Sequence, residues 1–129
     1  MSKGFFVSGT DTDVGKTIAS AVLINKLNAD YFKPIQCGLN KLKKKDSDTI
    51  KTLCKNTNVL KEIYFFRDPV SPYVASLREK KNIDIKKIIS FKKNCTSEKL
   101  IIEGAGGLYV PIKKNFFMSD LSKKMNLPM

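Results

Sequence analysis

The residues with the plainest chemistry are Gly15, Lys16 and Thr17, which close a glycine loop that Gly9 and Thr10 open. An apolar run, Phe5-Phe6-Val7, leads into the loop, and a helical pattern from Ile18 to Leu27 follows it. That order sets the loop between the carboxyl end of a strand and the amino end of a helix. Such a helix end presents unpaired N–H groups and the positive end of a dipole, and both favour an anion. The Lys16 ammonium adds a point charge within reach of a nucleotide's outer phosphates, and the Thr17 hydroxyl is an oxygen ligand for the magnesium that accompanies them. The usual phosphate loop places four residues between its first glycine and the Gly-Lys pair. Five separate Gly9 from Gly15, so the loop is a variant whose strict first position falls on Thr10. The plainer alternative is a strand-to-helix turn that needs glycines.

Three further residues extend this chemistry. Glu103 ends the apolar run Leu100-Ile101-Ile102, where nucleotide hydrolases place the acid that holds magnesium directly or through a water. A surface acid at a strand end is the other reading. Asp48 either supplies a second carboxylate to the same metal or complements a helix dipole in the first turn. Lys33, after a strand, can neutralise charge that builds on a transferring phosphoryl group, although a single lysine is ordinarily solvated.

The elements that must position these groups alternate along the chain. Asp30 to Ile35 reads as a second strand ending in Lys33-Pro34, and Ser47 to Lys55 as a helix with Ile50, Leu53 and Cys54 at core spacing. Tyr64 to Phe66 is a brief extended piece. Ser71 caps a helix with Pro72 in its first turn, and Asp84 to Lys93 is an amphipathic helix. Leu108 to Ile112 reads as extended and Ser119 to Asn126 as a helix capped by Ser119. Strands alternating with helices predict an α/β fold: a mainly parallel sheet wound on both faces, with ligand at the carboxyl ends of the strands. The phosphate loop, the Lys33 loop and the Glu103 loop each follow a strand and so converge on one edge.

At 129 residues the chain is one domain's worth. No apolar run approaches the roughly 20 residues that span a bilayer, so no membrane segment is expected. The strand follows Met1 too closely for a signal peptide, which predicts a cytoplasmic protein. Cys37, Cys54 and Cys95 are widely separated and the chain has no histidine, so neither a disulfide framework nor a zinc site is suggested. The net charge of +12 invites a nucleic-acid partner, yet of the 24 basic residues only Arg67 and Arg78 are arginine. Lys86, Lys87, Lys92 and Lys93 instead make the solvated face opposite Ile85, Ile88 and Ile89. The run from Lys41 to Lys45 reads as a flexible basic loop that helps attract anionic substrates.

Gly9-Thr10-Asp11-Thr12-Asp13-Val14-Gly15-Lys16-Thr17, Lys33-Pro34, Asp48, Pro69-Val70-Ser71-Pro72 and Glu103-Gly104-Ala105-Gly106-Gly107 with Val110-Pro111 together resemble dethiobiotin synthetase, in unchanged order from Ser2 to Met129. The first and last motifs are specific in combination. The partition ATPases and cobyrinate amidases share the loop type, but the partition class carries an extra lysine where this chain has Thr10 and Asp11. The resemblance implies a P-loop NTPase-like fold and ATP-dependent ring closure in biotin synthesis. Diaminopelargonate and carbon dioxide (or bicarbonate) give dethiobiotin, with ADP and phosphate released, in a homodimer that uses Mg2+. By position it implies that Asp13, Val14, Gly15, Lys16, Thr17, Ile18, Asp48, Glu103 and Gly106 bind ATP. Thr17, Asp48 and Glu103 would hold magnesium, and Lys33 and Lys16 would be catalytic. Thr12, Lys33, Cys37, Ser71 and Gly107 would meet the substrate, with Gly106 and Gly107 letting backbone come close to it. The alternative is a silent nucleotide-binding remnant, or an ATPase switch of the partition or cobyrinate-amidase type.

The chain departs from the family at Cys37, where the family has Ser or Thr, at Asp13 in place of Glu, and at Tyr73 in place of His. Family members also continue beyond Met129, which predicts a domain truncated at its carboxyl side, with an apolar edge on the sheet.

Overall fold

The computed structural model describes residues 3–129; Met1 and Ser2 lie outside the described residues. In chain order the elements are β1 (Lys3–Val7), α1 (Lys16–Leu27), β2 (Asp30–Phe32), β3 (Ile35–Cys37), α2 (Asp46–Leu53), β4 (Tyr64–Phe66), α3 (Pro72–Arg78), α4 (Ile85–Lys93), β5 (Lys99–Glu103), β6 (Pro111–Lys113), β7 (Phe116–Phe117) and α5 (Met118–Met125). The central strand is β5, which pairs in parallel with β1 on one side and β2 on the other. Its residues Leu100 to Glu103 are all fully buried. A strand covered on both faces reads as an unbroken apolar run, which is why Leu100-Ile101-Ile102 is so regular.

Side chains alternate across the sheet and seed two cores. Leu100, Ile102, Phe6 and Phe32 face one core, with Ala75 of α3, Ile88 of α4 and Leu121 and Met125 of α5. Ile101 and Tyr31 face the other, with Ala21 and Ile24 of α1 and Ile50 of α2. Helices therefore cover both faces, the doubly wound α/β arrangement that the alternating pattern predicts. Each fully buried Ile, Leu or Phe contributes about 1.5 to 3 kcal/mol.

Several boundaries differ from expectation. The second strand does not end at Lys33-Pro34 but is interrupted there: Pro34 has no N–H to give to a ladder, and the chain resumes as β3, which pairs in parallel with β4. Cys37 thus closes strand β3. The stretch expected to be extended from Leu108 to Ile112 turns first and joins the sheet-like pair β6–β7, an antiparallel ribbon with Asn115 in the left-handed region (φ 57°) at its turn. Ser119 lies inside α5, and the cap is made by Asp120, whose carboxylate accepts the Phe117 N–H at 2.9 Å. Ser71 caps α3 as expected, its hydroxyl accepting from the Val74 N–H.

Beyond β1 runs an apolar cleft of about 730 Å3, lined by Phe5, Phe6, Leu23, Leu108, Tyr109 and Met129 among others. Pro128 accepts a hydrogen bond from the Phe6 N–H at 2.7 Å, on the side of β1 away from β5. No helix among the described residues is long and apolar enough to cross a membrane.

Candidate functional site

The phosphate loop is held in shape by backbone that ordinary residues rarely adopt. Asp13 (φ 55°) and Gly15 (φ 95°) are both left-handed, and helix α1 starts directly after them at Lys16 rather than at Ile18. Lys16 and Thr17 therefore occupy the first turn, beside its unpaired N–H groups. The Lys16 side chain folds back over the loop, and its Nζ donates to the Asp11 carbonyl at 2.7 Å. Burial pulls its pKa below the usual lysine value, and the nearby Lys33 charge adds to the effect.

Opposite the loop, the end of β5 carries the centre of the polar network. Glu103 Oε1 accepts from the Thr17 hydroxyl at 2.9 Å and from Lys33 Nζ at 3.2 Å, while Oε2 accepts from the Tyr31 hydroxyl at 2.8 Å. Lys33 also donates to Asp46 Oδ2 at 2.5 Å and to the Gly104 carbonyl at 3.3 Å. Burial opposes the Lys33 charge, but Glu103 and then Asp46 outweigh it, so its pKa lies above the usual 10.5 and it stays an ammonium. Tyr31 is raised well above its usual value, by burial first and by Glu103 second, so its hydroxyl is a donor only toward that acid.

A cavity of about 630 Å3 opens onto this network, a size suited to a small-molecule site. Thr12, Asp13, Gly15, Lys16, Thr17 and Ile18 line it from the loop and first turn, and Lys33, Cys37, Ser71, Glu103 and Gly106 from the other segments. Burial raises the Cys37 thiol to about 12, so it is protonated and at most a weak donor. The segments that sequence sets far apart do meet.

Three of the expected residues stand elsewhere. The Val14 side chain is exposed and lines no part of the cavity. Asp48 is turned toward its own helix end, its carboxylate accepting the Lys45 N–H at 3.1 Å, the capping alternative that its position left open. The acid that lines the cavity is Asp46, whose N–H donates to Gln36 Oε1 at 3.1 Å; this tertiary bond aims the first turn of α2. Gly107 faces the phosphate loop instead of the cavity: a Cβ there would stand 2.6 Å from the Thr10 carbonyl oxygen, and the adjoining Leu108 N–H donates to the Gly9 carbonyl at 2.9 Å. Its missing side chain lets one loop rest on the other. Replacing Gly107 with Ala is expected to push the Thr10 backbone away and weaken nucleotide affinity roughly tenfold, with a stability loss of about 1 to 3 kcal/mol. Unchanged affinity in a fluorescent-nucleotide titration would show that the two loops are not coupled.

Among the described residues no group of three or more acidic, cysteine or histidine side chains could hold a metal alone. The oxygens present, Thr17 Oγ1 and Glu103 Oε1 at 2.9 Å from each other with Asp46 nearby across Lys33, fit a hard cation that completes its shell with phosphate and water.

Residues 3–129 match the family model described as AAA domain. The chain belongs to this family. Among curated proteins, this AAA domain is 42% identical to the ATP-dependent dethiobiotin synthetase of Endomicrobium trichonymphae, over 99% of this chain and 63% of the relative. It is 39% identical to that of Paramagnetospirillum magneticum, over 98% and 59% of the two chains. It is also 38% identical to a bifunctional biotin biosynthesis protein of Bordetella avium, over 98% of this chain and 27% of that protein. The similarity to dethiobiotin synthetases read from the motifs is thus borne out across the chain, which spans about 60% of the length of the single-function relatives it matches.

Proposed function

We propose that the chain carries the phosphoryl-transfer half of a dethiobiotin synthetase: ATP-dependent carboxylation and ring closure of diaminopelargonate. The observation that carries this reading is the meeting of Lys16, Thr17, Lys33 and Glu103 at one cavity, in a chain similar throughout to proteins of that name. In the reaction an amine adds to carbon dioxide to give a carbamate, whose oxygen takes the γ-phosphoryl group; the second amine then attacks the carbonyl carbon and phosphate leaves. No protein nucleophile is required, so the residues contribute position and charge.

Lys16 leaves the Asp11 carbonyl to hold the β and γ phosphates, while the α1 amino end and Gly15 supply N–H donors. Lys33 stays charged beside the transferring group and offsets its growing negative charge; it serves as an electrostatic partner and not as a base. Thr17, Glu103 and Asp46 would hold Mg2+, which when bound neutralises phosphate charge. Thr12, Cys37 and Ser71 border the place for the carbamate. Dimerisation and a cytoplasmic location belong to the same proposal.

Phosphate release should depend on diaminopelargonate and bicarbonate together. Release with ATP alone would favour an ATPase switch of the partition or cobyrinate-amidase type. ATP binding with no release would leave a nucleotide-binding module.

A further inference from the structure

We propose that Tyr31 is a positioning residue for Glu103, fixing which of its two carboxylate oxygens faces the phosphate cavity. Tyr31 has no exposed surface, and its ring packs in the core between sheet and α1 with Ile24, Ile50 and Ile101. It does not line the cavity. Its hydroxyl reaches along the sheet to Glu103 Oε2 at 2.8 Å, so that Oε1 is the oxygen that meets Thr17 and Lys33.

The geometry gives that bond a consequence. A terminal carboxylate torsion is broad and roughly two-fold, so the chain alone does not hold Glu103 in one orientation. Oε1 is fixed by donors from α1 and the Lys33 break, two groups that must readjust when phosphate and a cation enter. Tyr31 is anchored in strand β2, in register with Ile101 of β5, and does not readjust. It therefore keeps the Glu103 plane constant while the cavity side exchanges partners, as partners behind metal ligands commonly do. An aliphatic or glycine residue at this strand position would complete the core or the sheet without that bond.

This inference rests on the nucleotide and metal part of the proposed function and not on ring closure. Its test compares ATP affinity in excess magnesium and in EDTA for the wild-type chain and Tyr31→Phe, which keeps the ring and its packing. Magnesium should strengthen binding by the wild type. Tyr31→Phe should lose roughly tenfold affinity in magnesium and none in EDTA. Equal losses in both conditions, or no loss in either, overturn the proposal, since a purely structural tyrosine would not discriminate between them. Tyr31→Leu, which also removes the ring, should show the same magnesium-specific loss together with a lower melting temperature. A wild-type chain that gains affinity with magnesium but releases no phosphate with the diamine overturns the ring-closure reading alone. One whose affinity ignores magnesium overturns the positioning of Glu103 by Tyr31, while phosphate release with the diamine and bicarbonate decides ring closure separately.

Discussion

Replacing Glu103 with Ala is expected to destabilise the chain by about 3 to 5 kcal/mol, the range for removing one partner of a buried ion pair. Glu103 is fully buried and Lys33 nearly so, and the change leaves the Tyr31 hydroxyl, the Thr17 hydroxyl and part of the Lys33 ammonium without their acceptor. A domain of this size has only about 5 to 15 kcal/mol in total, so the variant sits near the edge of folding. Glu103→Gln keeps the shape and an accepting oxygen but removes the charge, and should retain a substantial part of the stability while losing the magnesium-dependent gain in ATP affinity. The alkaline limit should move as well. Because the folded pKa of Lys33 is raised above 10.5, its stabilisation is fully present below that pH and fades as pH rises through the raised value. Without the Glu103 charge, burial pulls that pKa back down and unfolding begins at lower alkaline pH. Urea denaturation across pH measures both effects; a loss below about 1 kcal/mol for Glu103→Ala would mean that the network is not coupled to the fold.

The parts of this architecture that were legible in sequence are those with one physical cause. Leu100-Ile101-Ile102 could only be a strand buried on both faces, and the glycine loop before Lys16 could only precede a helix. The β6–β7 ribbon was not legible, since β7 has two residues and its turn places a lone Asn115 in the left-handed region without the asparagine–glycine pair that announces a hairpin. Nor was the break at Lys33, where Pro34 signals an exit equally well as a pause between two strands.

The site divides along the same line. Lys16, Thr17, Lys33 and Glu103 are each fixed by the end of a regular element, so their convergence follows from the alternation of strands and helices. Asp46 and Asp48 share the first turn of α2, and composition cannot rank them. What separates them is Gln36, whose Oε1 accepts the Asp46 N–H, and Lys45, whose own N–H donates to the Asp48 carboxylate. Tyr31 was hidden for a different reason: an aromatic in a strand is expected in the core, and only the register of β2 against β5 carries its hydroxyl to Glu103. Gly107 reads in sequence as clearance for a ligand because the Thr10 carbonyl that needs the room lies near the opposite end of the chain.

Lys16→Ala is expected to separate binding from stability. The ammonium makes a charge-assisted hydrogen bond to the Asp11 carbonyl of the loop, is largely buried, and among the described residues forms no ion pair. Its lowered pKa means that the fold disfavours its charge, and since the group is charged at neutral pH that cost is fully present there. Lys16→Met, which keeps the length of the chain without the charge, should therefore leave stability unchanged or raise it by up to about 1 kcal/mol. Both variants should lose ATP affinity by roughly a hundredfold, about 2.7 kcal/mol, within the range for hydrogen bonds to charged groups. Lys16→Arg should not restore it, because a planar guanidinium fork spreads its donors where the single ammonium acts as a compact point charge beside Asp11. The pairing of an unaffected melting curve with lost binding marks a residue kept for a ligand at the expense of the fold. If binding survives in Lys16→Met, the loop is a structural turn and the phosphate assignment is wrong.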